Sequence, residues 1–169
     1  INHLGDFNNG QGVYVEFYNN KELSGEPTVT GYYKEINFST FGAWGFAEGV
    51  STDNLSVRVK GNYKASFTGD MQYSFNSDNG FVLKINGEVV EESKSAGGRG
   101  FGFRRGGTNY KSFPVKAGET YEVEVEYKRG NGNFAMLRGE ICERKLVDFT
   151  DVQASVKNAD VIIVIGGIS

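Results

Sequence analysis

Apolar and polar side chains alternate with a period of two through stretch after stretch of this chain, and that period confines most of it to β-structure. Val13, Val15 and Phe17 alternate with Tyr14, Glu16 and Tyr18. Leu55, Val57 and Val59 stand against Ser56, Arg58 and Lys60. Met71, Tyr73 and Phe75 alternate with Gln72, Ser74 and Asn76, and Phe81, Leu83 and Ile85 with Val82, Lys84 and Asn86. A strand sends successive side chains to opposite faces, so each stretch buries one face and wets the other. Tyr121, Val123, Val125 and Tyr127 repeat the pattern against Glu122, Glu124 and Glu126, a row expected to be a solvated sheet face.

Turn chemistry falls between these runs. Asn86-Gly87 suits a type I′ hairpin turn, because both residues tolerate positive φ. Lys116-Ala117-Gly118-Glu119 is a second turn, and Asn131-Gly132 opens a last strand over Phe134 to Ile141. Ser77-Asp78-Asn79-Gly80 is expected to be a polar hairpin tip setting a carboxylate beside an amide. Residues 19–53 hold few regular signals, apart from Pro27 and a glycine-aromatic tract around Trp44. Many tight turns also fit 24 glycines, 13 phenylalanines and 9 tyrosines against only two prolines. The expected fold is mostly β, an antiparallel β-sandwich over residues 13–147.

From Asp148 the pattern changes. Thr150 and Gln153 form a capping box, with Val152 and Val156 on one helical face. The unbroken run Val161 to Ile165 has the form of a strand buried on both faces, as in a parallel sheet. One helix and one such strand cannot bury each other alone. Residues 148–169 are therefore expected to begin a larger α/β domain, with residues 1–12 as the lead-in from a host domain. A chain that starts at Ile1 is expected to be a processed form or a piece cut from a longer one.

A net charge of −3 argues against nucleic acid or an anionic membrane as partner. No apolar run approaches the ~20 residues that cross a bilayer. Cys142 is the sole cysteine, which excludes an intrachain disulfide and a thiolate cluster and leaves the compartment open.

Val13 to Glu26, Asn54 to Val59, Phe67 to Val90 and Lys116 to Tyr127 (KAGETYEVEVEY) resemble the protective-antigen-type β-sandwich domain of toxins, yeast adhesins and glycosidases. The tail VDFTDVQASVKNADVIIVIGGIS resembles the α/β sandwich domain of glycoside hydrolase family three, into which such a domain is sometimes inserted. Together the two resemblances imply part of a retaining β-glucosidase- or β-xylosidase-like enzyme. Retaining hydrolysis needs two carboxyl groups about 5 Å apart. The family's nucleophile lies on a barrel domain, and no glutamate here matches its acid. The resemblance thus implies no catalytic residue in this chain, and a role in shaping the substrate binding of its host. Secretion or the periplasm is the implied setting.

Three places are candidates for substrate contact. The first is Asp78 with Asn79. In the lectin branch of the resembled family, two adjacent aspartates at this tip hold calcium, and through it sugar hydroxyls. Asn79 in the second place removes a charge that a hard cation needs, so calcium is disfavoured, no metal ligand is assigned and no cofactor is expected. The plain alternative is an Asx turn. The second place is the Gly-Arg-rich loop from Ser95 to Ser112, where Phe101, Phe103, Arg104 and Arg105 combine sugar-stacking rings with bidentate donors. Its alternative is a mobile surface loop. The third is Trp44, a stacking platform or a core plug. The expected partners are a gluco- or xylo-oligosaccharide and the catalytic domains of the same parent chain. A free-standing carbohydrate-binding module, lectin-like and calcium-dependent, and a purely structural or interaction domain are the competing readings.

Overall fold

The structure, a computed structural model, describes residues 3–40, 45–94 and 110–143. Ten strands follow in chain order: β1 (Val13–Tyr18), β2 (Val29–Tyr33), β3 (Ile36–Ser39), β4 (Ser56–Lys64), β5 (Gly69–Ser77), β6 (Gly80–Ile85), β7 (Glu88–Lys94), β8 (Lys111–Val115), β9 (Thr120–Lys128) and β10 (Met136–Glu143). They form two antiparallel sheets, ordered β2-β1-β4-β9-β6-β7 and β3-β10-β5-β8.

The alternation assigns the faces. Val13, Val15, Phe17, Val57, Val59, Leu83, Val123, Val125 and Tyr127 point inward from the larger sheet. Ile36, Phe38, Met71, Tyr73, Phe113, Val115, Leu137 and Ile141 meet them from the smaller one. The packing reaches back into residues 1–12, where Leu4 and Phe7 are buried and the Phe7 ring lies 5.4 Å from that of Tyr63. Burying large apolar side chains contributes roughly 1.5–3 kcal/mol each, which is what holds two sheets face to face.

The Asn86-Gly87 turn forms as expected, with φ of 51° and 80°. Gly118 turns with φ of 86°, and Glu119 N–H donates to the Lys116 carbonyl at 3.1 Å. Three local expectations are corrected. Lys111 and Ser112, expected in the loop that begins at Ser95, belong to β8. Residues 29–39 were not legible as strands, yet they supply β2 and β3, an edge of each sheet. β5 and β6 do not form a hairpin either: β5 pairs with β10 and β8, whereas β6 pairs with β7 and β9. The Ser77–Gly80 segment is therefore a corner that carries the chain from one layer to the other. The helix expected from Thr150 and the strand Val161 to Ile165 lie outside the described residues.

Candidate functional site

At the corner between β5 and β6, Asp78 faces into the protein. One carboxylate oxygen, Oδ1, accepts the Tyr127 hydroxyl at 2.6 Å and the Met136 N–H at 2.8 Å. The Asp78 N–H in turn donates to the Met136 carbonyl at 3.3 Å. Tyr127 is fully buried on the inward parity of β9. Burial, then the hydrogen bond to Asp78 and its negative charge, push the Tyr127 hydroxyl far above the ordinary tyrosine range. Beside it, Asn79 Nδ2 donates to the Lys128 carbonyl at 2.8 Å. Gly130 passes so close that a Cβ there would stand 2.6 Å from Asn79 Oδ1. Asp78 and Asn79 thus pin the corner to the end of β9 and the start of β10, where the sequence led us to expect a polar hairpin tip. The corner's side-chain oxygens are those of Asp78 and Asn79 together with the buried hydroxyl of Ser77. Among the described residues no group of three or more His, Cys, Asp or Glu side chains is arranged to hold a metal ion.

Several chain segments meet at this end of the sandwich. Arg129 is buried and donates from Nη1 to the Phe134 carbonyl at 3.1 Å and from Nη2 to the Gly132 carbonyl at 3.0 Å. Its Nη2 also reaches the Asp53 carboxylate at 3.4 Å. It thereby fixes the 130–134 loop from within. Lys21 Nζ donates to Asn131 Oδ1 at 3.3 Å, joining the β1–β2 connection to that loop. Sequence reasoning missed Arg129 as an organiser. The available signal was its parity, because it continues the inward series Val123, Val125, Tyr127.

Trp44, Phe101, Phe103, Arg104 and Arg105 lie outside the described residues, but their described flanks lead here. On the Trp44 side, Thr40 N–H donates to the Ala135 carbonyl at 2.9 Å, and the Phe46 ring stacks on Tyr127 at 5.9 Å. On the loop side, Lys94, the last residue of β7, sits opposite Gly80. After the loop, the Tyr110 hydroxyl donates to Glu140. The corner, the flanks of Trp44 and Lys94 thus come together, whereas Tyr110 reaches Glu140, opposite Ser74 and further along β5.

The outer face of the larger sheet is not simply solvated. Glu122 is exposed, but Glu124 and Glu126 are half-buried and paired. Lys84 Nζ lies 3.0 Å from both Glu124 and Glu126, and Arg58 lies 3.3 Å from Glu126. Across β1, Glu16 pairs with Lys60 at 2.9 Å and with Arg58 at 3.7 Å, and accepts the Tyr18 hydroxyl at 2.7 Å. Burial pushes the Glu16 carboxyl up, but hydrogen bonds from Tyr18 and Lys60 and the charges of Lys60 and Arg58 outweigh it and hold it below the usual carboxylate value. At Glu126 burial is likewise outweighed, by Lys84 and then Arg58. A carboxyl with a depressed folded pKa stabilises the fold above its unfolded pKa, and that contribution is lost as pH falls through the folded value. The thermal midpoint is thus expected to fall as pH drops below the ordinary value of 4.5. In Glu16→Gln that acid-side fall should be visibly shallower, as melting curves from pH 7 to pH 3 will register.

Comparison with known proteins places these features in a family. The model of the PA14 domain, the protective-antigen-type sandwich, matches residues 9–158. A xylan 1,4-beta-xylosidase of Xylanibacter ruminicola is 22% identical over 160 residues, covering 94% of this chain and 18% of the relative. The chain thus spans less than a fifth of that protein's length. Among solved structures, a beta-glucosidase from Kluyveromyces marxianus in complex with glucose superposes with a TM-score of 0.62 at 21% identity, over 86% of this chain and 17% of the other. A PA14 sugar-binding domain from an RTX adhesin superposes with a TM-score of 0.54 at 21% identity, over 78% and 89%. At such identities the superpositions establish the shared sandwich fold. The family match covers most of the sequence, and on that ground the chain belongs to the PA14 domain family.

Proposed function

We propose that this chain is a non-catalytic carbohydrate-contacting domain of a longer β-glucosidase- or β-xylosidase-like glycoside hydrolase of family three. The observation that carries the reading is the convergence of the Asp78–Asn79 corner, the flanks of Trp44 and Lys94, from which the chain runs on to Phe101–Arg105, at one end of the sandwich. Likeness to a xylosidase and to a glucose-complexed beta-glucosidase supports the sugar class. Phe101 and Phe103 would stack on pyranose faces, and Arg104 and Arg105 would grip ring hydroxyls or carboxylates with paired donors. Asp78 and Asn79 would support that surface by holding the corner in shape. Hydrolysis would belong to the host's catalytic domains, with residues 148–169 leading into its α/β domain. The ends of the sandwich suit such an insertion, because the His3 N–H donates to the Ile141 carbonyl at 2.7 Å. Secreted or periplasmic breakdown of oligosaccharides is the setting this implies, without a bound cofactor.

A lectin-like reading, in which Asp78 holds calcium and calcium holds sugar, draws on the likeness to an adhesin's sugar-binding domain. Against it stand the two donors already engaged with Asp78 Oδ1. Calorimetric titration of this chain with gluco- and xylo-oligosaccharides, in calcium and then in chelator, separates the two. The insert reading expects no calcium-dependent heat. Binding that chelator and Asp78→Ala both abolish would transfer the function to the corner as a calcium lectin.

A further inference from the structure

Among the described residues the two sheets end in four edge strands: β2 and β7 on the larger, β3 and β8 on the smaller. An edge strand presents unpaired N–H and C=O groups to any extended chain, and proteins blunt it with charge, proline, a bulge or brevity. Three of these edges carry such a device. β7 holds Glu88, Glu91, Glu92 and Lys94, and β6 shifts register against it between Leu83 and Lys84. β8 contains Lys111 and Pro114. β3 is only four residues long. β2, with the sequence Val29-Thr30-Gly31-Tyr32-Tyr33, has no charge and no proline, and it is paired along its whole length to β1 on its other side. Tyr32 is 51% exposed on this strand, its ring 5.2 Å from that of Tyr14.

The position of this bare edge matters as much as its composition. β2 passes into β3 through Lys34 and Glu35, and there the two ends of the described sandwich come together. Ile36 pairs with Gly139, two residues before Ile141, whose carbonyl accepts the His3 N–H. A Cβ on Gly5 would lie 3.9 Å from Lys34 Cδ. Both ends of the described sandwich thus lie beside the segment that leaves β2.

We propose that β2 is a docking edge at which one extended segment of the surrounding parent chain pairs as a further strand of the larger sheet. This rests on the reading of the sandwich as part of a longer protein. Main-chain hydrogen bonds would supply the affinity, with uncharged side chains of the segment lying beside Thr30 and Tyr32. The tethered chain fits better than a second copy. A five-residue edge buries far less than the roughly 1,000 Å² that a free-standing interface requires. A segment tethered nearby needs no such area, since its effective concentration is on the order of millimolar.

Hydrogen–deuterium exchange over residues 29–33 tests this, on the full parent protein and on the 169-residue chain. The outward-facing amides of β2 are expected to exchange at least about tenfold more slowly in the parent, a fold-change within the range of local protection. Equal rates in the two proteins would overturn the proposal. Protection that rises with concentration in the isolated chain would identify a second copy as the occupant and overturn it as well. A parent protein without glycosidase activity would sink the functional reading while leaving the exchange result standing, so the two fail separately.

Discussion

Replacing Asp78 with alanine is expected to cost the sandwich about 3 kcal/mol, because hydrogen bonds to charged groups contribute about 1.5–3 kcal/mol each and two donors lose their acceptor. The donors are the Tyr127 hydroxyl at 2.6 Å and the Met136 N–H at 2.8 Å. Tyr127 is fully buried, so its hydroxyl has no access to solvent as a replacement. Water reaching the half-buried corner offsets part of the loss at Met136, which keeps the figure below the sum. A loss of this size lowers Tm by roughly 10 °C for a domain of 150–250 residues. Asp78→Asn keeps an acceptor oxygen and is expected to lose far less. Tyr127→Phe removes one donor together with its need for a partner and should fall between the two. Urea unfolding of the three variants checks the order. An Asp78→Ala protein within 0.5 kcal/mol of the parent would mean that the carboxylate is no staple, and the corner would regain its claim as a free ligand site.

The same residues show where sequence reading succeeds and where it stops. Alternation told which side chains of Val13, Val57, Met71, Leu83 and Val123 face inward, because the period of a strand is fixed by its backbone. It did not tell which strands share a sheet, because a period of two is identical in either layer. Phe75 and Phe81, on either side of Asp78, therefore read as the two arms of a hairpin, although they belong to β5 and β6 in separate sheets. β2 was illegible for a different reason. It lies on an edge, and its Val29, Gly31 and Tyr33 are only half-buried, so the contrast on which alternation depends is weak. The site was partly legible: Asp78 and Asn79 were singled out by residue type. Their partners were not, since Tyr127 and Lys128 stand 49 residues away from them and only the fold brings them near.

The arginine-phenylalanine loop carries the functional half of the proposal. Its stem leaves β7 opposite Gly80, so the loop starts from the corner that Asp78 and Asn79 hold in place. Arginine binds hydroxyl and carboxylate oxygens in bidentate fashion, and such contacts are about twice as strong as neutral ones. If Arg104 and Arg105 hold sugar units beyond the one being cleaved, they act only on substrates long enough to reach them. A loss of about 1.4 kcal/mol in binding is tenfold in affinity. Arg104 and Arg105 belong to none of the ten described strands, so the double alanine variant is expected to melt at the temperature of the parent protein.

The direct test is therefore kinetic: Arg104→Ala/Arg105→Ala in the full parent protein, assayed for the proposed glycosidase activity on gluco- or xylo-oligosaccharides and on an aryl monoglycoside. The expected result is a KM raised roughly tenfold for the longer oligosaccharides, as the loss of about 1.4 kcal/mol requires, with the aryl substrate unchanged. Unchanged kinetics on both substrates, or an equal loss on both, would contradict a domain that contacts the outer sugars of its host's substrate.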